Sequence, residues 1–219
     1  MKIGFIGLGN VGFKLANSVL ESGFELFIND LDKDVGTELI KKGAKWLDTP
    51  KELAQKSDIS ITCLPSPKAV ESVLEGAKGL IEGMGSGKLW IEMSTTDDKE
   101  MKRLASIIIE KEAHVIEAPV SGGCHRAATG NIAILVGGTR EAFDIAMPAL
   151  SAIGYQILHV GPIGSASILK VATNYLASTH LVAVGEALMV CKKAGLDLSN
   201  VYEGIKISSG NSFVHETES

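Results

Sequence analysis

A chain of 219 residues is long enough for one large domain and a smaller one. At 45% hydrophobic and 21% charged it has an ordinary globular composition. Its net charge of −5, with no basic run, argues against nucleic acid and anionic membrane as partners. Cys63, Cys124 and Cys191 are scattered and lack metal-ligand spacing, which points to a reducing compartment, the cytoplasm, and to no metal site.

The opening Met1-Lys2-Ile3-Gly4-Phe5-Ile6-Gly7 has too short an apolar run for a signal peptide and reads as a strand entering a turn. Strands are predicted at 2–6, 25–28, 58–64, 88–92 and 115–117, with a weaker one at 45–47. Helical patterns lie between them at 10–22, 34–42, 51–56 and 97–111. Thr49-Pro50 supplies a cap followed by proline at the first helical position, and Ser94-Thr95-Thr96-Asp97 offers several caps. This alternation predicts an α/β fold with a mostly parallel, doubly wound Rossmann-type sheet.

After Glu117 the rhythm changes. Residues 118–130 read as a glycine-containing loop, followed by a strand at 131–136, a break at Gly137-Gly138, a helix to about Ile153 and a strand at 156–160. From Ser165 one long helix runs to about Lys193, Gly195 ends it, and another begins near Leu198. Lys170, Asn174, His180 and Glu186 make the long helix too polar for a membrane span. The expected division is a dinucleotide-binding domain at 1–161, then the long interdomain helix and the start of an all-α domain at 162–219.

Gly7-Leu8-Gly9-Asn10-Val11-Gly12 is a G-x-G-x-x-G run between a strand and a helix. In that setting Gly7 permits the tight turn, Gly9 lets a pyrophosphate approach the backbone, and Gly12 lets helix pack on strand. Phe27-Ile28-Asn29-Asp30 then ends in an acid about 20 residues on, placed to accept hydrogen bonds from a ribose 2′-hydroxyl. Asp30 and Asp32 would repel a 2′-phosphate, so NAD is favoured, while Lys33 leaves NADP possible.

Lys170 is the single charged residue between Ser165 and Gly185. Such a lysine is either a domain-edge side chain paired with an acid or an amine whose pKa is lowered for proton transfer. Asn174 lies four residues on, at the spacing that shares a helical face. Ser121-Gly122-Gly123 follows a strand; it is either an ordinary tight turn or a cradle of hydroxyl and backbone N–H for a carboxylate.

Taken in order, Gly7 to Gly12, Leu64-Pro65-Ser66, Met93-Ser94-Thr95, Ala118-Pro119-Val120-Ser121-Gly122-Gly123 with Ala127 and Gly130, and Val136-Gly137-Gly138 resemble the β-hydroxyacid dehydrogenases. Gly161, Gly164, Lys170 and Asn174 also fall where that family places its interdomain-helix motif. The 3-hydroxyisobutyrate dehydrogenases are the most similar type. The resemblance implies NAD(P)-dependent interconversion of a small 3-hydroxy acid and its semialdehyde, with Lys170 as general acid/base. It implies Ser121, Gly122, Gly123 and Asn174 as substrate-binding residues. Leu64, Pro65 and Thr95 would line the cofactor path beside Gly7, Gly9, Asn10, Val11, Gly12, Asn29 and Asp30.

The chain departs from the family pattern at Ala166, where a glycine is usual, at Thr173, in place of one of a pair of asparagines, and at Glu92, where many relatives carry aspartate. His125 and Arg126 would bias the pocket toward a more anionic substrate, and Cys124 is expected to be a spectator. Relatives continue past the segment matching residues 208–212, so a truncated second domain is expected, with a homo-oligomer covering the apolar helix. A tartronate or succinic semialdehyde reductase of the same fold, or a non-catalytic NAD-binding module, are the alternative readings.

Overall fold

A computed structural model describes residues 1–218, apart from the side chains of Cys124 and His125. The first half alternates strand and helix: β1 (Lys2–Ile6), α1 (Gly12–Glu21), β2 (Glu25–Asn29), α2 (Thr37–Lys41), β3 (Lys45–Trp46), α3 (Pro50–Lys56), β4 (Ile59–Thr62), α4 (Pro67–Glu75), β5 (Leu89–Glu92), α5 (Asp98–Glu110) and β6 (His114–Glu117). There follow β7 (Val120–Ser121), α6 (Gly123–Ala128), β8 (Ala133–Gly138), α7 (Arg140–Ile153) and β9 (Gln156–Gly161). The chain then becomes helical: α8 (Ser165–Lys193), α9 (Leu198–Lys206) and α10 (Phe213–Glu218).

The sheet runs β3-β2-β1-β4-β5-β6-β8-β7, with β9 beside β8. All pairs from β3 to β6 are parallel, whereas β8 runs antiparallel to β6 and β7. The strand order reverses between β1 and β4. In an open parallel sheet the crevice at that reversal, beyond the carboxyl ends of the strands, is where ligands bind.

Period-two alternation divides the strand residues between two cores. Ile3, Phe5, Leu89 and Ile91 join Leu15, Ala16 and Val19 of α1 and Ala146, Leu150 and Ile153 of α7 on one face. Ile6 and Trp90 join Leu53, Leu74, Met101, Leu104 and Ile108 on the other. Each fully buried large side chain contributes roughly 1.5–3 kcal/mol, so both faces of the sheet are anchored. Gly4 stands where α3 presses closest: a Cβ there would lie 2.2 Å from the Leu53 side chain.

Two predicted features are corrected. Residues 118–130 hold β7 and α6, where a loop is expected from the glycines. β8 also continues through Gly137 and Gly138, where a break is expected. Gly137 pairs with Glu117, and a Cβ on it would stand 2.3 Å from the Glu117 carboxylate. The glycine makes room for an acid and does not end the strand.

Two compact units are present, Met1–Lys170 and Val171–Ser219. The first unit takes in the opening turns of α8, where Glu117 of β6 binds the backbone of Gly164, Ala166 and Ser167. Within the second unit, the buried ring of His215 lies 4.5 Å from that of Tyr202, and its Nε2 donates to the Tyr202 carbonyl at 3.0 Å. Among the described residues, no helix is long and apolar enough to cross a membrane.

Candidate active site

The glycine loop follows directly from β1. Gly7 has φ +95°, and a Cβ there would come within 2.3 Å of the Cys63 carbonyl oxygen. A Cβ on Gly12 would approach the Gly7 carbonyl oxygen to 2.0 Å. These two glycines are required by the protein's own packing. Gly9 differs: a Cβ there would meet nothing within 4 Å, so its outer face is open to a ligand.

The start of α1 is distinctive in a second way. α3, α4, α5 and α7 begin on Thr49, Ser66, Asp97 and Thr139, each of whose side chains accepts a first-turn N–H. α1 has Val11 in that position, with no side-chain cap and no acid in its first turn. Asn10 and Val11 sit at this bare end, which presents N–H donors and the positive end of the helix dipole.

Asp30 closes the same corner. Its Oδ2 accepts from the Leu8 N–H at 2.6 Å and its Oδ1 from the Asp32 N–H at 3.1 Å, which holds the carboxylate over the glycine loop. Asn29 is buried, and its amide donates to the Leu47 carbonyl at 2.8 Å, tying β2 to the chain after β3. Leu64 and Pro65 leave β4 on the other side of the crevice. The Leu64 N–H donates to Ser94 Oγ at 2.8 Å, so the segment holding the exposed Thr95 is anchored to it. An open Gly9, an uncapped α1 and an acid at the end of β2 fit a dinucleotide, with pyrophosphate at the helix end and ribose at Asp30.

Beneath these loops lie two buried carboxylates that sequence reasoning does not assign. Glu92 and Glu117 end neighbouring strands and are register partners. Glu92 accepts from Thr62 Oγ1 and from the Ser94 N–H at 2.6 Å, and Trp90 Nε1 donates to the same Thr62 oxygen at 2.8 Å. Burial pushes the Glu92 carboxyl up to about 7, against the pull of the Ser94 and Thr62 hydrogen bonds and helped by the charge of Glu117. The Cys63 thiol is pushed up to about 12, by burial first and then by Glu92, so it is a poor nucleophile. The available sequence signal is an acid ending each of two otherwise apolar strands.

Glu92 carries a pH prediction. The unfolded chain releases this proton near 4.5, whereas the folded chain holds it to about 7, so the folded state loses stability as pH rises through that window. Glu92→Gln resembles the protonated acid. It is expected to abolish about 2 kcal/mol of that loss between pH 5 and 8, measured by urea unfolding of both proteins at each pH.

Lys170 is 8% exposed, and burial lowers its pKa below the ordinary lysine value. It lies in the second turn of α8, in the first unit. Asn174 is exposed, four residues further along the same helix, on the portion belonging to the second unit. Ser121 ends β7, and Gly122 and Gly123 follow with φ of +122° and +71°, a conformation that suits glycine. A Cβ on Gly123 would meet nothing within 4 Å, so this turn too has an open side. Arg126 belongs to α6, as do Cys124 and His125, whose side chains lie outside the described residues.

The sheet reversal, the glycine loop and the acid after β2 define a Rossmann-type dinucleotide-binding domain. Residues 2–161 match the family model for the NAD-binding domain of 6-phosphogluconate dehydrogenase. Residues 164–219 match the model described as NAD-binding of NADP-dependent 3-hydroxyisobutyrate dehydrogenase. The chain is 33% identical to 2-(hydroxymethyl)glutarate dehydrogenase of Eubacterium barkeri, across 100% of its own length and 72% of that protein. It is also 33% identical to the mitochondrial 3-hydroxyisobutyrate dehydrogenase of Mus musculus, over 98% of this chain but 64% of that one, so it spans less than two thirds of that relative. The crystal structure of 3-hydroxyisobutyrate dehydrogenase from Salmonella typhimurium superposes with a TM-score of 0.89 at 27% identity, covering 99% of this chain and 76% of that one. The chain belongs to the β-hydroxyacid dehydrogenase family, NAD(P)-linked oxidoreductases of small hydroxy acids.

Proposed function

We propose that this chain interconverts a small 3-hydroxy acid, of the 3-hydroxyisobutyrate type, and its semialdehyde, with NAD preferred over NADP. The carrying observation is Lys170, a buried amine in the helix that follows β9 and whose first turn is hydrogen-bonded to Glu117, the last residue of β6. NAD(P), when bound, supplies the hydride acceptor. In oxidation the Lys170 amine takes the hydroxyl proton as the C–H hydride leaves, and in reduction the ammonium returns it. Ser121 and the backbone of Gly122 and Gly123, of which Gly123 is open, are assigned to the substrate carboxylate, and Asn174 to the reacting oxygen. The names of the relatives, among them 3-hydroxyisobutyrate dehydrogenases and 2-(hydroxymethyl)glutarate dehydrogenase, support this substrate class.

In this reading residues 1–161 hold the dinucleotide, with Leu64, Pro65 and Thr95 along its path, and residues 162–219 contribute the helical side. Tyr175, Leu176, Val182, Met189 and Val190 of α8 are exposed apolar residues, which supports assigning a second copy of the chain to this surface. The scattered cysteines support a cytoplasmic location.

The test is NADH formation, followed by absorbance, against 3-hydroxyisobutyrate, 2-(hydroxymethyl)glutarate, glycerate and 4-hydroxybutyrate. Turnover ranked toward one of these supports the reading. NADH binding without turnover on any of them leaves only a dinucleotide-binding module. Asp30→Asn keeps an acceptor for the Leu8 N–H and removes the charge. It is expected to shift the ratio of kcat/KM for NADP over NAD upward by about tenfold, a difference of about 1.4 kcal/mol.

A further inference from the structure

The start of α8 is held in an unusual way. Glu117 Oε1 accepts from the N–H groups of Gly164 at 2.6 Å and Ala166 at 2.8 Å. Its Oε2 accepts from the Ser167 N–H at 3.1 Å and from the Ser167 hydroxyl. The carboxylate is 1% exposed, so it meets these donors away from water, where charge-assisted hydrogen bonds are strongest.

α3, α4, α5 and α7 are capped by a side chain two or three residues from the N–H it accepts, which stabilises the helix and nothing else. A local side-chain cap at position 164 is disfavoured there: Gly164 has φ +97°, a conformation that residues with a Cβ rarely adopt. The cap comes from 47 to 50 residues away, on the last residue of β6. Gly137, the partner of Glu117 across the sheet, lacks the Cβ that would fill the carboxylate's place.

We propose that Glu117 is a positioning residue, whose carboxylate fixes the first turn of α8 to the end of β6 and so sets Lys170 relative to the Ser121-Gly122-Gly123 turn, which follows β7 four residues further along the chain. Ser167, which donates twice, stands three residues before Lys170, one turn away on the same side of the helix. Burial lowers the Lys170 pKa, and the role assigned to Glu117 is to place the amine. The inference rests on Lys170 being the proton-transfer group of the proposed reaction.

The test compares Glu117→Gln, Glu117→Asp and Ser167→Ala with the wild-type chain. Gln has the same shape but turns an amide N–H toward donors that need an acceptor, whereas Asp keeps the charge one methylene short. The first readout needs no substrate: the rate at which acetic anhydride modifies Lys170 relative to the exposed Lys56, resolved by mass spectrometry. The ratio is expected to rise several-fold in Glu117→Gln and less in the other two. The second readout is kinetic, with 3-hydroxyisobutyrate and NAD. In Glu117→Gln, kcat should fall by about 100-fold with KM for NAD changed by less than about twofold, and Asp should restore part of kcat. An unchanged labelling ratio in Glu117→Gln, or in Ser167→Ala if the Gln variant does not fold, overturns the inference. So does a variant that melts earlier but keeps the wild-type kcat per folded molecule. A wild-type chain without turnover on the panel counts against the proposed function alone, because the labelling ratio still decides whether Glu117 sets Lys170.

Discussion

Lys170→Ala is expected to lower kcat for hydroxy acid oxidation by about 10²- to 10⁴-fold, the range that a positioned acid/base supplies. NADH affinity, measured by fluorescence, should stay within a few-fold of wild type, because the proposed dinucleotide site at the glycine loop and Asp30 lies at the ends of β1 and β2 and does not include Lys170. The pH profile sharpens the assignment. Burial lowers the Lys170 pKa, so the neutral amine becomes available below the ordinary lysine range of about 10.4. Oxidation needs that neutral form, and its rate should fall as pH drops through the lowered value. Reduction needs the ammonium, and its rate should fall as pH rises through it. Equal kcat in wild type and Lys170→Ala would remove the lysine from the chemistry.

Gly9 and Gly12 of the glycine loop should fail differently. Gly12→Ala sets a methyl group 2.0 Å from the Gly7 carbonyl oxygen, and backbone cannot yield as a side chain tip does. A loss of about 3 kcal/mol or more in urea unfolding is expected, at the upper end of overpacking costs. Gly9→Ala places its methyl in open space, so its unfolding curve should overlie that of the wild type. Its NADH dissociation constant should nevertheless rise by about tenfold or more, because the methyl stands where the pyrophosphate must approach the backbone. If Gly9→Ala bound NADH as tightly as wild type, the loop would not be the phosphate cradle.

Much of this arrangement is legible in the sequence, because the signals are local. The strand Lys2–Ile6, the six-residue glycine run and the acid Asp30 lie within thirty residues, and each is a pattern of neighbours. The long helix from Ser165 to Lys193 likewise announces itself by period and by Gly195. Shorter elements are harder to read. α4 starts on Ser66-Pro67, the same signal as Thr49-Pro50, but a second proline at 65 obscures it. α6 has six residues between positive-φ glycines, too few for a helical period to show. The hydrogen bonds of Glu117 join positions about fifty residues apart, and no spacing rule connects an acid ending β6 to a helix three strands later. Its trace in sequence is the glycine pair at 137 and 138, which reads as a strand break until the carboxylate beside it is seen.

The bare N-terminus of α1 bears on how long the protein survives. α3, α4, α5 and α7 complete their own ends with a side chain, whereas α1 does not; in the proposed reading its partner is the dinucleotide, which binds the folded chain and not the unfolded one. At a dinucleotide concentration 100 times its dissociation constant the folded state gains about 2.7 kcal/mol, and the unfolded population falls by about 100-fold. Since proteases act mainly on opened chains, saturating dinucleotide is expected to slow proteolysis of the chain, measured as digestion rate with and without NADH.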